Sequence, residues 1–439
     1  MQRRIFLGAL AAGAAAASDE SFRVYTDPPR LFLNPRRSRL LRRERERDSI
    51  RWRQFHLLMS GGAAMPEPGF ANALLYHVAA DEAAARRALE FALSPAADTR
   101  QAAIVFDWCA AAATPQQKAA LTARLGKAAA APATAVPDVR DRTLAALAIA
   151  EQQPELSEKA LTETVNTWWR GNIAPSLKEG RRPIRREDTL ALFELLHVVR
   201  DNLRIELRDA IEPWFRSLPA FLLSSYYPSP WPAAENEYRI PMMTRSGDPD
   251  LRAAALARAA EFAVVAYDTN LLESQFLQGW LIQDRFLLRS PLGAPYEFLW
   301  ANPYQPGLSY FHMPLTFHDA EHQDGALFLR SSWEEDARWL GYLEGRLQFF
   351  EQGKLSVFDT AKLERPLRIG NQAVVAAARF SFEEVAPEAT YVLGLKPRTW
   401  YDIEVDDEAM YDARADAGGI LAIRLSGPAG VRLKPSSYS

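Results

Sequence analysis

The segment Trp231-Pro232-Ala233-Ala234-Glu235-Asn236-Glu237-Tyr238-Arg239-Ile240-Pro241 concentrates side chains that can move protons and hold a carboxylate. Tyr238 offers a hydroxyl for general acid–base work. Asn236 and Arg239 offer donors matched to a carboxylate, Glu237 can orient them, and Trp231 adds an aromatic face. These types suit removal of a weakly acidic carbon-bound proton beside a carboxylate, with protonation of a departing oxygen. The same residues also read as a helix start, with Asn236 as cap and Glu235 and Glu237 favourable to the helix dipole.

A second set lies further along, at His312, His318 and His322. His318-Asp319-Ala320-Glu321-His322 has the H-x-x-E-H spacing of some zinc peptidases, but two imidazoles so spaced need a helix to share a face. Pro314 upstream and Asp324-Gly325 downstream favour a turn, so no metal is expected, and His318 is kept as a candidate catalytic residue. Aromatic residues crowd the same region in Tyr296-Glu297-Phe298-Leu299-Trp300-Ala301-Asn302-Pro303-Tyr304, followed by Tyr310-Phe311. Sugar rings stack on such faces, which makes Trp300 and Tyr304 candidate substrate contacts; packing between domains would use the same residues.

Other signals read as structure. Arg36 to Arg53 is interleaved with Glu44, Glu46 and Asp48, with Arg42 and Glu46 at i,i+4, which describes a solvated helix face rather than a nucleic-acid site. His197 sits among apolar neighbours, Trp168-Trp169 share a helical stripe with Leu161 and Val165, and Cys109 reads as buried filler. No P-loop, dinucleotide fingerprint or nucleophile elbow is present, and no cofactor is expected.

The elements that must position these groups change character along the chain. From about Asn34 to Arg289, polar caps followed by proline precede apolar residues at helical spacing: Asn34-Pro35, the capping box Thr114-Pro115-Gln116-Gln117, and Asp248-Pro249. Ala128 to Pro137 and Gly171 to Pro183 read as breaks. Successive antiparallel helices of this kind make a solenoid or a closed toroid, and the lack of a strict repeat favours the toroid. After Tyr296 the period becomes two, as in Trp400 to Asp406 and Val431 to Lys434, with a further strand at Ile420 to Leu425. Leu395-Lys396-Pro397-Arg398-Thr399-Trp400-Tyr401 resembles a tyrosine corner. The chain has 439 residues, 48% hydrophobic and 24% charged, with a net charge of −3. That balance gives no field for nucleic acid or an anionic membrane and enough apolar surface for two cores. Residues 1–17, with Arg3-Arg4-Ile5-Phe6-Leu7 and a small-residue run, read as a twin-arginine export signal, so a periplasmic or secreted protein free of the membrane after signal removal is expected.

Phe328-Leu329-Arg330-Ser331-Ser332-Trp333-Glu334-Glu335-Asp336-Ala337-Arg338-Trp339 resembles the "R-S-x-W-x-x-D-A-x-W" opening of the β-sandwich in heparinase II/III-like polysaccharide lyases. Ala103-Ile104-Val105-Phe106-Asp107-Trp108 followed by Thr114-Pro115 is similar to their "A-Y-D-W-L … L-T-P-E-E-R" helix pair, and Pro29-Arg30-Leu31-Phe32-Leu33-Asn34-Pro35 to their "H-P-R-L-L-L-T-P-E" entry. The resemblance implies an α+β multidomain chain: an (α/α) toroid of helical hairpins over residues 18–295, then an antiparallel β-sandwich over residues 296–439. It also implies β-elimination on an acidic, uronate-containing polysaccharide between the two. One element of the family pattern is missing, because Gly345 to Lys354, where the family carries an "H-x-H-x-D" loop, holds no histidine. A carbohydrate-binding protein without catalysis is the alternative, and an inverting glycoside hydrolase with two carboxylates a third reading.

Overall fold

Local chemistry sets most helix starts. Asn34 accepts from the Arg37 N–H with Pro35 in the first turn, and Thr114 and Gln117 close a reciprocal capping box. In a computed structural model, which describes residues 22–181, 184–233, 237–243, 247–284, 289–360, 363, 365–383 and 385–437, these and similar caps open a run of helices. They are α1 (Pro35–Glu46), α2 (Ile50–Ser60), α3 (Pro68–Ala79), α4 (Glu82–Leu93), α5 (Thr99–Trp108), α6 (Pro115–Ala130), α7 (Val136–Ala148), α8 (Pro154–Thr162), α9 (Ala174–Lys178), α10 (Thr189–Leu203), α11 (Glu212–Ser224), α12 (Leu251–Tyr267), α13 (Leu272–Gln283) and α14 (Gly293–Trp300). The cap of α12 is Asp250, not Asp248, because its carboxylate reaches the N–H groups of Arg252 and Ala253. The break expected at Gly171 does not occur there: a π-helical stretch, Glu163–Ile173, joins α8 to α9. Pro175 stands in the first turn of α9, and the buried Trp168 and Trp169 hold the π-helical stretch against the interior. The export signal at residues 1–17 lies outside the described residues, and among those no helix is long and apolar enough to cross a membrane.

Helices far apart in the chain pack in order. α3 lies on α5, α5 on α7, α7 on α10, α10 on α12 and α12 on α14, and α14 returns to α3. The resemblance motifs meet in this packing: the Asp107 carboxylate of α5 accepts from the N–H groups of Arg30 and Leu31 at 2.7 and 2.8 Å, and the Trp108 indole donates to the Leu31 carbonyl at 2.8 Å.

The strands are β1 (Trp231–Pro232), β2 (Glu237–Tyr238), β3 (Thr316–His318), β4 (Leu327–Arg330), β5 (Trp339–Leu343), β6 (Arg346–Glu351), β7 (Lys354–Phe358), β8 (Leu367–Ile369), β9 (Gln372–Val375), β10 (Arg379–Phe382), β11 (Ala389–Val392), β12 (Trp400–Val405), β13 (Ala409–Arg414), β14 (Leu421–Ile423) and β15 (Ala429–Pro435). β1 and β2 form a small hairpin, so Glu237 and Tyr238 do not begin a helix. The rest form three sheets, ordered β3-β4-β5-β6-β7, β14-β11-β9-β8 and β10-β15-β12-β13. They stack as layers on the helices. In β4, Phe328 faces the helices and lies 5.7 Å from Phe221 of α11, while Leu327 and Leu329 face the second sheet. In the second sheet Val374 and Tyr391 face inward to the first, and Val375 and Val392 face outward to the third. Burial on both faces explains the runs Ala373-Val374-Val375 and Tyr391-Val392-Leu393, and β9 pairs with β11 in parallel. The expectation of an antiparallel sandwich is corrected in its pairing, since β9 and β11 run parallel.

The change from helix to sheet also falls later than Tyr296, since α14 continues through Trp300 and β3 opens at Thr316. Between them, residues 301–315 run along α13. The Leu308 N–H donates to the Gln275 carbonyl at 2.9 Å, and Gly279 admits the Leu308 carbonyl so closely that a Cβ there would lie 1.7 Å from its oxygen. The first sheet is tied to the helical part by side chains bonded to carbonyls: Trp339 to Ser224 at 2.9 Å, Gln323 to Trp214 at 3.0 Å and Arg330 to Tyr226. In the third sheet the Tyr401 hydroxyl accepts from the Lys396 N–H at 3.0 Å, the bond of a tyrosine corner.

Candidate functional site

A cleft of about 270 Å³ opens where α13 meets the first sheet. One wall is α13 with Trp280, Gln283 and Asp284; another is the 301–315 segment with Tyr310 and Phe311; the sheet supplies Arg330 at the end of β4 and Trp333, Glu334 and Glu335 beyond it. Arg239, just after β2, closes the third side. The aromatic rings interlock: Tyr310 stands edge-on to Trp280 at 5.2 Å and to Trp333 at 5.5 Å, and stacks on the more exposed Phe311 at 4.7 Å.

Two guanidiniums behave differently here. Arg239 is satisfied, pairing with Asp284 at 3.3 Å and Glu335 at 2.6 Å and donating to the Pro228 carbonyl at 2.9 Å. Asp284 is also held by Arg258 from α12. Arg330 is 6% exposed and, among the described residues, has no carboxylate within ion-pair distance. One of its Nη atoms donates to the Tyr226 carbonyl, its Nε has no acceptor among the described residues, and its charge lies 4.6 Å over the Trp333 ring. Burial lowers its pKa to about 9, with Tyr310 opposing the shift and Arg239 adding to it. That is the signature of a buried cation short of an anion. The Tyr310 hydroxyl lies in the field of Arg239, Asp284, Arg330 and Glu334; burial raises its pKa, so at neutral pH it holds its proton. The site can therefore receive one negative charge, stack a ring and donate a proton.

The residues singled out in the sequence do not assemble in one place. Arg239 alone lies in the cleft. Tyr238, its neighbour, is as buried as Tyr310 but is not among the residues that line the cleft. Glu237 and Trp231 are exposed on the hairpin, and Asn236 lies outside the described residues. Trp300 is fully buried, 4.6 Å from the ring of His197 and 5.4 Å from that of Phe32, which corrects its reading as a sugar contact. Tyr304 is exposed elsewhere, under Arg43 at 4.6 Å. His318 faces the second sheet and bonds Asp416 at 2.7 Å, and His322 turns to Asp319 at 3.0 Å. β6 presents Gln348 and Phe350 toward the helices. Gln348 accepts from the Tyr227 hydroxyl at 2.7 Å and Phe350 stacks on the Tyr227 ring at 5.6 Å, so these positions are filled by mutual contacts.

Trp280 and Asp284 are hidden in ordinary helical spacing, but Arg330 carries a signal. It lies two residues after Phe328 in an apolar strand, which puts a cation on the inward face. No family model and no curated protein matches the chain. One solved structure, named "Glycoside hydrolase", aligns over 84% of this chain and 71% of its own with 9% identity and a TM-score of 0.29, a likeness that supports no argument about fold or chemistry.

Proposed function

We propose that the protein binds an acidic saccharide in the cleft between α13 and the first sheet and catalyses β-elimination at a uronate residue. The cyclic order of helix packing is read as an (α/α) toroid, and the chain as an exported protein. The observation that carries the reading is Arg330, a buried cation without a carboxylate partner among the described residues, beside a wall of aromatic rings. A uronate carboxylate supplies the missing charge, and its ring stacks on Phe311, the exposed aromatic of the cleft. In elimination the Glu334 carboxylate takes the carbon-bound proton beside that carboxylate, the electron pair left behind forms the carbon–carbon double bond as the bond to the glycosidic oxygen breaks, and the oxygen takes a proton from Tyr310, which Glu334 then restores through solvent. Arg330 stabilises the charge that builds on the carboxylate as the carbon-bound proton departs. A hydrolase with two free carboxylates is disfavoured, because Asp284 and Glu335 are both engaged by arginines.

A second reading, binding without catalysis, draws on Gln348 and Phe350, which occupy the stretch lacking histidines. The test is a set of uronate polysaccharides offered to the purified protein while binding and the absorbance of an unsaturated product are followed. Absorbance supports elimination, binding alone supports the second reading, and binding that survives Arg330→Gln unchanged refutes both. Replacing Arg330 should weaken binding roughly 10- to 100-fold, the worth of one charge-assisted contact.

A further inference from the structure

A larger pocket, of about 620 Å³, opens at the C-terminal ends of α10, α12 and α14, where they meet α1; it shares no lining residue with the cleft. Its wall is unusually basic. Arg36, Arg39 and Arg43 stand at i, i+3 and i+7 along α1, and Arg37 and Arg200 face them. The acidic residues that interleave these arginines in sequence do not neutralise them. Glu44 turns inward to Arg51 at 3.0 Å and Asp48 to Arg53 at 2.8 Å, and the expected Arg42–Glu46 pair is not formed among the described residues. Arg36, Arg39 and Arg43 have no carboxylate within ion-pair distance among those residues. The nearby Asp201 is already engaged, by the Asn34 amide at 2.8 Å and by Arg200 at 3.4 Å.

A second observation is independent of charge. Gln305, 7% exposed, lines the pocket, and both its amide oxygen and amide nitrogen are buried without a hydrogen-bond partner among the described residues. A buried amide with neither bond made costs free energy until a ligand supplies them. Around it the wall is fixed: Arg37 donates to the carbonyls of Leu299 and Trp300 at 2.8 Å, and Arg200 donates to that of Tyr267 at 2.7 Å. Tyr304 lies under Arg43 at the rim.

We propose that this pocket binds a small polyanion bearing phosphate or sulfate ester groups. Several guanidiniums around one engaged carboxylate call for more than one negative charge, and tetrahedral oxyanions accept the paired donors of arginine. Gln305 then bonds an ester or hydroxyl oxygen and a hydroxyl proton of the same ligand. The volume suits a molecule of disaccharide or nucleotide size.

The experiment is calorimetric titration of the full chain with pyrophosphate and, separately, with a polysulfated disaccharide, at low and at moderate salt. Binding of either probe, weakened at least tenfold in an Arg36→Gln/Arg39→Gln/Arg43→Gln variant and at least several-fold in Gln305→Leu, is the expected result; which probe binds tells phosphate from sulfate. The three arginines are exposed, so the triple variant should fold and keep its uronate binding in the cleft. Failure of both probes to bind, or binding equal in wild type and triple variant, overturns the proposal without touching the cleft.

Discussion

Tyr238 and Tyr310 illustrate how little a residue's type says about its role. Both are tyrosines near an arginine and both pack into the main core, but only Tyr310 lines the cleft, between Arg239 and Arg330. Where elimination is observed, Tyr310→Phe should lower turnover by about 10²–10⁴-fold with little change in affinity, and Tyr238→Phe should leave turnover near normal. The reverse pattern in steady-state kinetics would dismiss Tyr310 from the chemistry. Two histidines, His77 half-buried and His197 buried, carry a second residue-scale expectation. Burial, helped by Arg42, lowers the pKa of His77 from 6.5 to about 4, and burial holds His197 well below its ordinary value, with its Nε2–H donated to the Ala263 carbonyl at 3.0 Å. The unfolded chain takes up protons on both near pH 6.5 while the native one does not. Their stabilisation is therefore complete above that pH and is lost as pH falls toward 4. Asp107, raised by burial from 3.8 to about 6, runs the other way: its contribution is present below pH 3.8 and withdrawn as pH rises through 6. Melting temperature should thus fall on going from pH 7 to pH 6, and His77→Gln should flatten that fall; an unaltered slope would exclude His77 as its source.

At the scale of elements, short contacts between backbones decide where things sit. Asp107 of α5 caps two N–H groups of the entry segment, so Asp107→Ala leaves both without their acceptor and should cost about 2–4 kcal/mol in a denaturant titration. Gly279 of α13 has no room for a methyl group against the Leu308 carbonyl. Gly279→Ala should displace the segment that carries Tyr310 and lower saccharide affinity more than it lowers stability; a variant that binds normally would show that the segment does not position the cleft. These examples also mark what the sequence discloses. Caps such as Asn34 and Thr114 and the alternation in β12 are local, and the elements they announce are present. The three-layer stack is not local: β9 and β11 are short apolar runs whose double burial depends on sheets that come before and after them. The same holds for the site. Arg330 and Trp333 stand out as parts of a family-like string, but their partner Trp280 looks like any helix residue until α13 is laid against them. Trp300 misleads because an aromatic between domains and an aromatic beneath them have the same neighbours in sequence.

The molecule as a whole joins its helical part to the first sheet through one continuous hydrophobic core, which includes Phe221, Phe328, Trp339 and Phe350. Heating followed by calorimetry should melt these two together, whereas separate transitions for helix and first sheet would contradict that continuity. The proposed export belongs to this scale too: if it holds, Arg3→Lys/Arg4→Lys should keep the protein in the cytoplasm, and unchanged export on cell fractionation would dismiss the twin-arginine reading. Four side chains, Trp339, Gln323, Arg330 and Trp333, fasten the sheet and its edge to carbonyls at Ser224, Trp214, Tyr226 and Met313. Walls pinned in this way do not swing shut on a guest. Ligand capture in the cleft should then be a single collision step whose observed rate climbs in proportion to saccharide concentration without reaching a plateau, and good and poor saccharides should differ chiefly in how long each one stays.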